Sequence, residues 1–189
     1  MASLFLDNVE QHIEVMRKMP AIEADVERVG SLLAAVLLAG NKLLVCGNGG
    51  SAADAQHFAS ELTGRFIKDR KPLAAIALST DSSALTCIGN DYGFDDVFAR
   101  QTEALARPGD CFIGISTSGR SPNVRKAAAA AREAGAKVVG LLGRDGGPLL
   151  AESDMAIVAP SEVTARIQEV HILVIHTLCG LIEQKLGIA

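Results

Sequence analysis

Aromatic side chains are nearly absent from this chain. It has no tryptophan, one tyrosine and six phenylalanines among 189 residues. A core built without large rings must be aliphatic, made of Leu, Ile, Val and Ala, and the 49% hydrophobic content supplies it. Excess positive charge is also missing. Eighteen Lys and Arg stand against 22 Asp and Glu, a net charge of −4, with no Lys/Arg run and no basic–aromatic interleaving. That excludes nucleic-acid binding through a general basic surface. Cysteine is sparse: Cys46, Cys87, Cys111 and Cys179 form no C-x-x-C pair, and three lie in apolar surroundings. This suits reduced thiols in a cytosol rather than a disulfide framework. No continuous apolar run approaches the ~20 residues of a membrane span. The N-terminus carries acids early and lacks the apolar region of a signal peptide. The sequence thus reads as one cytoplasmic domain, long enough for a real core.

What is present is a regular alternation of apolar patterns. Leu4, Val9, Ile13 and Met16 recur at helical spacing until Pro20, and Ile22, Val26, Val29, Leu33, Val36 and Leu37 repeat the pattern until Gly40. From there strands and helices alternate. Strands are expected at 43–46, 73–78, 111–115, 137–142 and 155–158, and helices at 51–66, 82–88, 94–105, 122–134 and 164–186. The strands are short apolar runs without alternation, so both faces are expected to be buried, as in a parallel sheet. Repeated strand–helix units of this length imply a doubly wound α/β layer with ligands outside the C-terminal strand ends. The last helix, around His171–His176 and on to Ile182, is apolar on nearly every side. A surface helix would show one stripe, so this one is expected to be buried in the domain or between subunits.

Two strand-to-helix loops stand out. Gly47-Asn48-Gly49-Gly50-Ser51 follows the first strand and opens a helix. Free backbone N–H groups and the helix dipole make such a turn a site for anions and polar hydroxyls. It also fits a relaxed dinucleotide fingerprint, Gly47-x-Gly49-x-x-Ala52, or a tight turn with no ligand. The dinucleotide reading wants an acid about 20 residues on, and Asp81 lies too far along. No Gly-Lys-Ser/Thr occurs, so a Walker loop is excluded. The second loop, Gly114-Ile115-Ser116-Thr117-Ser118-Gly119-Arg120-Ser121-Pro122, offers four hydroxyls within six residues. Neutral donors of that kind suit a phosphate monoester better than a triphosphate–magnesium complex. The same residues also suit a capping turn, with Ser121 as N-cap and Pro122 in the first helical turn. Downstream of the first loop, His57 and Glu61 lie four residues apart on one helical face, separated by ~6 Å of rise. They read as a base, a metal pair or a plain surface pair. Arg65 and Arg120 read either as charge near a phosphate or as solvated side chains, and Asp145-Gly146-Gly147-Pro148 as a structural turn.

Taken as a set, Cys46-Gly-Asn-Gly-Gly-Ser51, Ala55-Gln-His57-Phe-Ala-Ser-Glu61-Leu-Thr-Gly64-Arg, Gly89-Asn-Asp91, Gly114-Ile-Ser-Thr-Ser-Gly119 and Arg166-Ile-Gln168-Glu-Val-His-Ile172 resemble the sugar isomerase (SIS) family, and within it the phosphoheptose isomerases. The resemblance spans nearly the whole chain. It implies a single SIS domain over 1–189. Residues 1–40 would be a helix pair used in oligomerisation, and 41–189 an α/β core with a five-stranded parallel sheet flanked by helices, plus the C-terminal helix. It implies a homotetramer with active sites at subunit interfaces. The reaction implied is an aldose–ketose isomerisation through an enediol, from sedoheptulose 7-phosphate to D-glycero-D-manno-heptose 7-phosphate, the entry to nucleotide-activated heptose. Asn48, Gly49, Gly50, Ser51, Asn90 and Asp91 would then hold sugar hydroxyls. Ser116, Thr117, Ser118 and Ser121 would hold the phosphate, with Gln168 also at the substrate. Glu61 and His176 would be the acid/base pair, and His57, Glu61, Gln168 and His176 would hold one zinc.

The residues themselves test this only in part. A helical Glu61 is a credible base, and His176 is a residue type suited to act as the acid for ring opening or oxygen protonation. A lone histidine in an apolar helix is equally at home as a core residue. Gln168 lies eight residues from His176, ~12 Å along a helix, and glutamine is an uncommon zinc ligand. His171 sits three residues from Gln168 and is assigned no ligand role. Non-catalytic SIS tetramers that bind the replication initiator share this fold but are expected to lack the catalytic Glu and His. Sugar-phosphate sensors add a DNA-binding domain, for which the ~40 residues before the first strand are too few.

Overall fold

The protein, described by a computed structural model over residues 3–188, is built on five parallel strands in the order β2-β1-β3-β4-β5. They are β1 (Leu43–Gly47), β2 (Ala75–Ala77), β3 (Cys111–Ser116), β4 (Lys137–Gly143) and β5 (Met155–Ala159). The helices are α1 (Leu4–Met16), α2 (Glu23–Leu38), α3 (Gly50–Thr63), α4 (Ser82–Asp91), α5 (Ala99–Leu105), α6 (Pro122–Glu133), α7 (Gly147–Ala151) and α8 (Thr164–Lys185). Alternate residues of each strand enter opposite layers. Leu43 and Val45 join Ile113, Ile115, Val139 and Leu141 beneath α2, α3 and α8. Leu44 and Cys46 join Phe112, Val138 and Leu142 beneath α5 and α6. Both layers are aliphatic, as the scarcity of rings requires.

Local chemistry sets the element ends. Pro20 sits in a 3-10 turn, Met19–Ile22, that separates α1 from α2, and Glu23 and Asp25 face the positive end of the α2 dipole. Asp81 caps α4, its carboxylate accepting from the Ala84 N–H at 2.9 Å. Asp81, already too far along for a dinucleotide reading, is therefore occupied in structure.

Five details depart from the sequence expectation. The edge strand β2 is three residues long, and Ile76 between its buried neighbours is 38% exposed. Strand β5 at the other edge is also only partly covered, so two-sided burial holds for the three central strands alone. The stretch 94–105 divides into a 3-10 turn, Phe94–Asp96, and α5. Lys126 of α6 holds the Asp96 carboxylate at 2.9 Å while Val97 and Phe98 turn into the core, which bends the chain between them. The turn at 145–148 runs on into α7. Finally, α8 is long and apolar enough to cross a membrane by length and composition, yet half of it is buried inside the fold. Its burial is one-sided: Ile167, Val170, Val174, Leu178 and Ile182 are covered, whereas Leu173 and Thr177 lie open.

The order of the strands locates the site. β1 is followed by β2 on one side, and β3 by β4 on the other, so the connections part between β1 and β3. A crevice opens at the C-terminal ends of the two strands where such connections diverge. The two loops singled out by the sequence leave β1 and β3 at that point.

Candidate active site

The crevice holds a cavity of about 320 Å³ lined by Asn48, Gly49, Gly50, Ser51, Ile115, Ser116, Thr117, Ser121, Thr164 and Gln168. Both loops contribute, and α8 closes one side. The loops are fastened to each other by a reciprocal amide pair: Asn48 Nδ2 donates to Asn123 Oδ1 and Asn123 Nδ2 donates to Asn48 Oδ1, each at 2.9 Å. Asn123 is 2% exposed and also accepts from the Val124 N–H at 2.9 Å. Satisfied on both sides, it fixes the first loop against the start of α6.

Ser121 occupies the N-cap position of α6, but its hydroxyl makes no capping bond. It lies 3.2 Å from Ser116 Oγ, which in turn accepts from the Gly119 N–H at 3.1 Å. The hydroxyls are thus gathered toward the cavity instead of serving the helix, which separates this loop from an ordinary capping turn. Helix α3 likewise begins without a side-chain cap, at Gly49; the Ser51 and Ala52 N–H groups are taken by the Asn48 and Gly49 carbonyls, and Gly49, Gly50 and Ser51 line the same space. Gly50 leaves room for Gln168: a Cβ there would meet the amide tip of that side chain.

Two to three turns further along α3, ~10 Å of rise from Gly50 at His57 and ~16 Å at Glu61, stands the second half of the site. Glu61 Oε1 is 3.0 Å from His57 Nε2, and His57 Nε2 is 3.3 Å from His176 Nε2. The rings of His57 and His176 meet edge to face at 5.0 Å, and Phe66 stacks on His176 at 5.8 Å. His176 is therefore no isolated core histidine, and it reaches His57 within one chain. One nitrogen of His57 faces both partners, and a single proton there can serve only one of them. Three donor atoms converging in this way, all within 4.8 Å, satisfy a cation better than they satisfy each other. Two of the three separations, 3.0 and 3.3 Å, are close to the ~3.3 Å between ligand atoms on a tetrahedral ion bound at ~2.0–2.1 Å, and His₂Glu with an open fourth position is a catalytic zinc set. His57, Glu61 and His176 could hold a metal.

The remaining candidates fall elsewhere. Gln168 lies in the loop cavity against Gly50. Ser118 lies at the loop's outer edge beside Arg120 and Asp145. Asn90 and Asp91 are exposed at the end of α4, where the Asn90 amide donates to Asp91 at 2.7 Å; within one chain they do not line the cavity. His171 is buried and its Nε2 bonds the Leu142 carbonyl at 2.9 Å. Burial pushes its pKa down, and the Leu142 contact keeps its ring apart from the metal group. Arg120 pairs with Asp145 at 2.7 Å, and exposed Arg65 bonds the Ile67 carbonyl. Burial pushes the Cys111 and Cys179 thiols up to about 12 and raises that of Cys46 as well. None of these three is a thiolate nucleophile near neutral pH.

Four contributors escaped the sequence reading. Asn123 and Thr164 bracket the cavity. Phe66 backs His176. Asp54, one turn before His57, has a buried Oδ2 with no partner among the described residues, and its carboxyl is raised to about 6 by burial, against the pull of His57. Asn123 alone carried a signal, as an amide directly after Pro122 at the head of an alanine-rich helix.

Comparison with known proteins agrees with this geometry. The SIS domain family model matches residues 5–143. A phosphoheptose isomerase of Helicobacter hepaticus is 53% identical over 187 residues, which is 99% of this chain and 95% of that protein. Among solved structures, phosphoheptose isomerase GmhA from Neisseria gonorrhoeae superposes with a TM-score of 0.90 at 47% identity, covering 95% of this chain and 97% of its own. A phosphoheptose isomerase from Francisella tularensis superposes with a TM-score of 0.93 at 38% identity, covering 97% and 100%. The chain belongs to the SIS domain family, among the phosphoheptose isomerases.

Proposed function

We propose that this enzyme interconverts sedoheptulose 7-phosphate and D-glycero-D-manno-heptose 7-phosphate. The observation that carries the reading is the two-ended site. A hydroxyl-lined cavity sits at the switch point, and Glu61, His57 and His176 are gathered two to three helical turns away. An open-chain seven-carbon phosphate is long enough to bridge the two.

In this reading Ser116, Thr117, Ser118 and Ser121 hold the phosphate by hydroxyl and backbone N–H donors. Asn48, Gly49, Gly50, Ser51 and Gln168 hold the sugar between. Glu61 takes a proton from C1 of the ketose, leaving an enediolate, and returns a proton to C2. His57 engages Glu61 Oε1, so the proton transfer is assigned to Oε2. His176 moves the second proton from O1 to O2, and Phe66 holds its ring in place. His57, Glu61 and His176 would hold zinc, which when bound would polarise the substrate oxygens as a Lewis acid.

The same reading takes the enzyme to be a cytoplasmic homotetramer with sites at subunit interfaces. Support comes from Leu4, Phe5 and Leu6 on α1, which are 77%, 71% and 61% exposed, and from Asn90 and Asp91, which a neighbouring subunit's sugar would engage. Incubation with the ketose phosphate, followed by NMR, tests the reaction. Aldose phosphate is expected with wild type, falling ~10²–10⁴-fold with Glu61→Gln. Wild type and Glu61→Gln both inert with substrate bound would remove the enzyme reading.

A further inference from the structure

Arg70 lies outside every helix and strand, and its side chain is 2% exposed. It is one of the most heavily bonded groups in the molecule. Nη2 donates to the Glu61 carbonyl at 2.7 Å and Nη1 to the Leu62 carbonyl at 2.8 Å. Nε donates to Glu183 Oε1 at 2.7 Å, and Glu183 is itself 3% exposed at the side chain. The first two bonds satisfy carbonyls in the last turn of α3, which have no partners within the helix, and the guanidinium faces the negative end of the helix dipole. The third bond reaches α8.

These are the two helices that must meet to form the site. Glu61, whose own carbonyl Arg70 holds, sits at the end of α3. Glu183 stands two turns after His176 on α8, so it shares that residue's side of the helix. The same connecting segment carries Phe66, which stacks on His176. A buried ion pair contributes little net stability over an apolar pair of similar volume. An apolar pair, however, could not bond two carbonyls and a second helix at once. The fork of a guanidinium does so, and a lysine ammonium cannot.

We propose that Arg70 is a positioning residue for the isomerase reaction: it locks α3 to α8 so that the Glu61–His57 pair meets His176. The proposal rests on the reading of Glu61 and His176 as the acid/base pair. Substrate anchoring hangs instead on the loops after β1 and β3, so the two contributions separate kinetically.

The test compares wild type, Arg70→Lys and the double variant Arg70→Met/Glu183→Met, which leaves no unpaired buried charge. Each is assayed at a temperature where circular dichroism shows it folded. Arg70→Lys and the double variant should lose about 10- to 100-fold in kcat, as a misplacement of ~1 Å between reacting groups produces. KM should stay within about threefold, and inhibition by inorganic phosphate should be unchanged, since uniform binding is untouched. Glu183→Gln, which keeps the acceptor, should restore most of the rate. Wild-type kcat in the folded variants overturns the assignment, as does a KM that rises in step with the fall in kcat. Failure of both variants to fold at any temperature also overturns it, because Arg70 would then serve the whole fold and not this contact. A wild type that turns over no heptose phosphate refutes the proposed function itself, a separate result.

Discussion

Gly119→Ala perturbs the loop after β3 at its tightest point. The residue has φ +61, and a Cβ there would run into the Gly146 carbonyl of the neighbouring loop. The left-handed backbone costs an alanine ~1–2 kcal/mol. The obstacle is backbone, which cannot swing aside as a side-chain tip does, so the loop must move. Moving it strains the Leu149 N–H bond to the Gly119 carbonyl at 3.1 Å and the Gly119 N–H bond to Ser116 Oγ at 3.1 Å. Each contributes ~1 kcal/mol net. The sum is about 3–4 kcal/mol, a large part of a total stability of about 5–15 kcal/mol. For a chain of this length that lowers Tm by about 6–16 °C. Ser116 and Ser121 shift with the loop, so KM for the sugar phosphate should rise in the fraction still folded. Gly40→Ala is the control: its φ is +82 but nothing lies within 4 Å of its Cβ. It should lose only the conformational ~1–2 kcal/mol and leave KM alone. Thermal melts and initial rates on both variants decide the matter. Equal Tm losses and an unchanged KM in both would refute the packing argument at Gly119.

Gly50→Ala should behave in the opposite way. Its Cβ meets the flexible end of Gln168, which can swing away, so Tm should change little while turnover falls several-fold; full activity would dissociate Gln168 from the substrate. Asp54 predicts a pH dependence. Its folded-state carboxyl, at about 6, lies above the usual value of 3.8, so the folded state holds a proton that the unfolded chain releases. The stability linked to that proton is complete below pH ~4 and is lost as pH rises through about 6. Asp54→Asn should accordingly stabilise the protein at pH 7.5, by no more than about 1–2 kcal/mol once solvent screening of a half-buried group is discounted. Urea denaturation at pH 7.5 and 4.5 should show that gain shrink to a fraction at the lower pH; an equal gain at both would assign the effect to packing.

The fold was largely legible because parallel strands buried on both faces leave unbroken apolar runs. Leu43–Gly47 and Cys111–Ser116 are such runs, and both are wholly buried. The edges were less legible. The pairing that limits β2 to Ala75–Ala77 is a property of its neighbour β1 and leaves no mark in residues 73–78. The loops at the switch point could be read from glycine and hydroxyl content alone, since that chemistry is local. Cross-chain geometry could not. Nothing in the spacing of His57 and His176, 119 residues apart, shows that their Nε2 atoms lie 3.3 Å from each other. Nor does a basic residue in a connecting segment announce that it bonds Glu61, Leu62 and Glu183 together. Helical rise did indicate that Gln168 and His176 would not easily reach one point, and the structure has Gln168 against Gly50 in the loop cavity.

The account stands on a substrate stretched between two ends of one site. Crystals of the Glu61→Gln protein soaked with sedoheptulose 7-phosphate test this most directly. The account predicts phosphate density within hydrogen-bond reach of Ser116, Thr117, Ser118 and Ser121, with C1 and C2 beside position 61 and His176. Phosphate seated on Gly47–Ser51 instead, or a carbonyl end remote from His57 and His176, would contradict it.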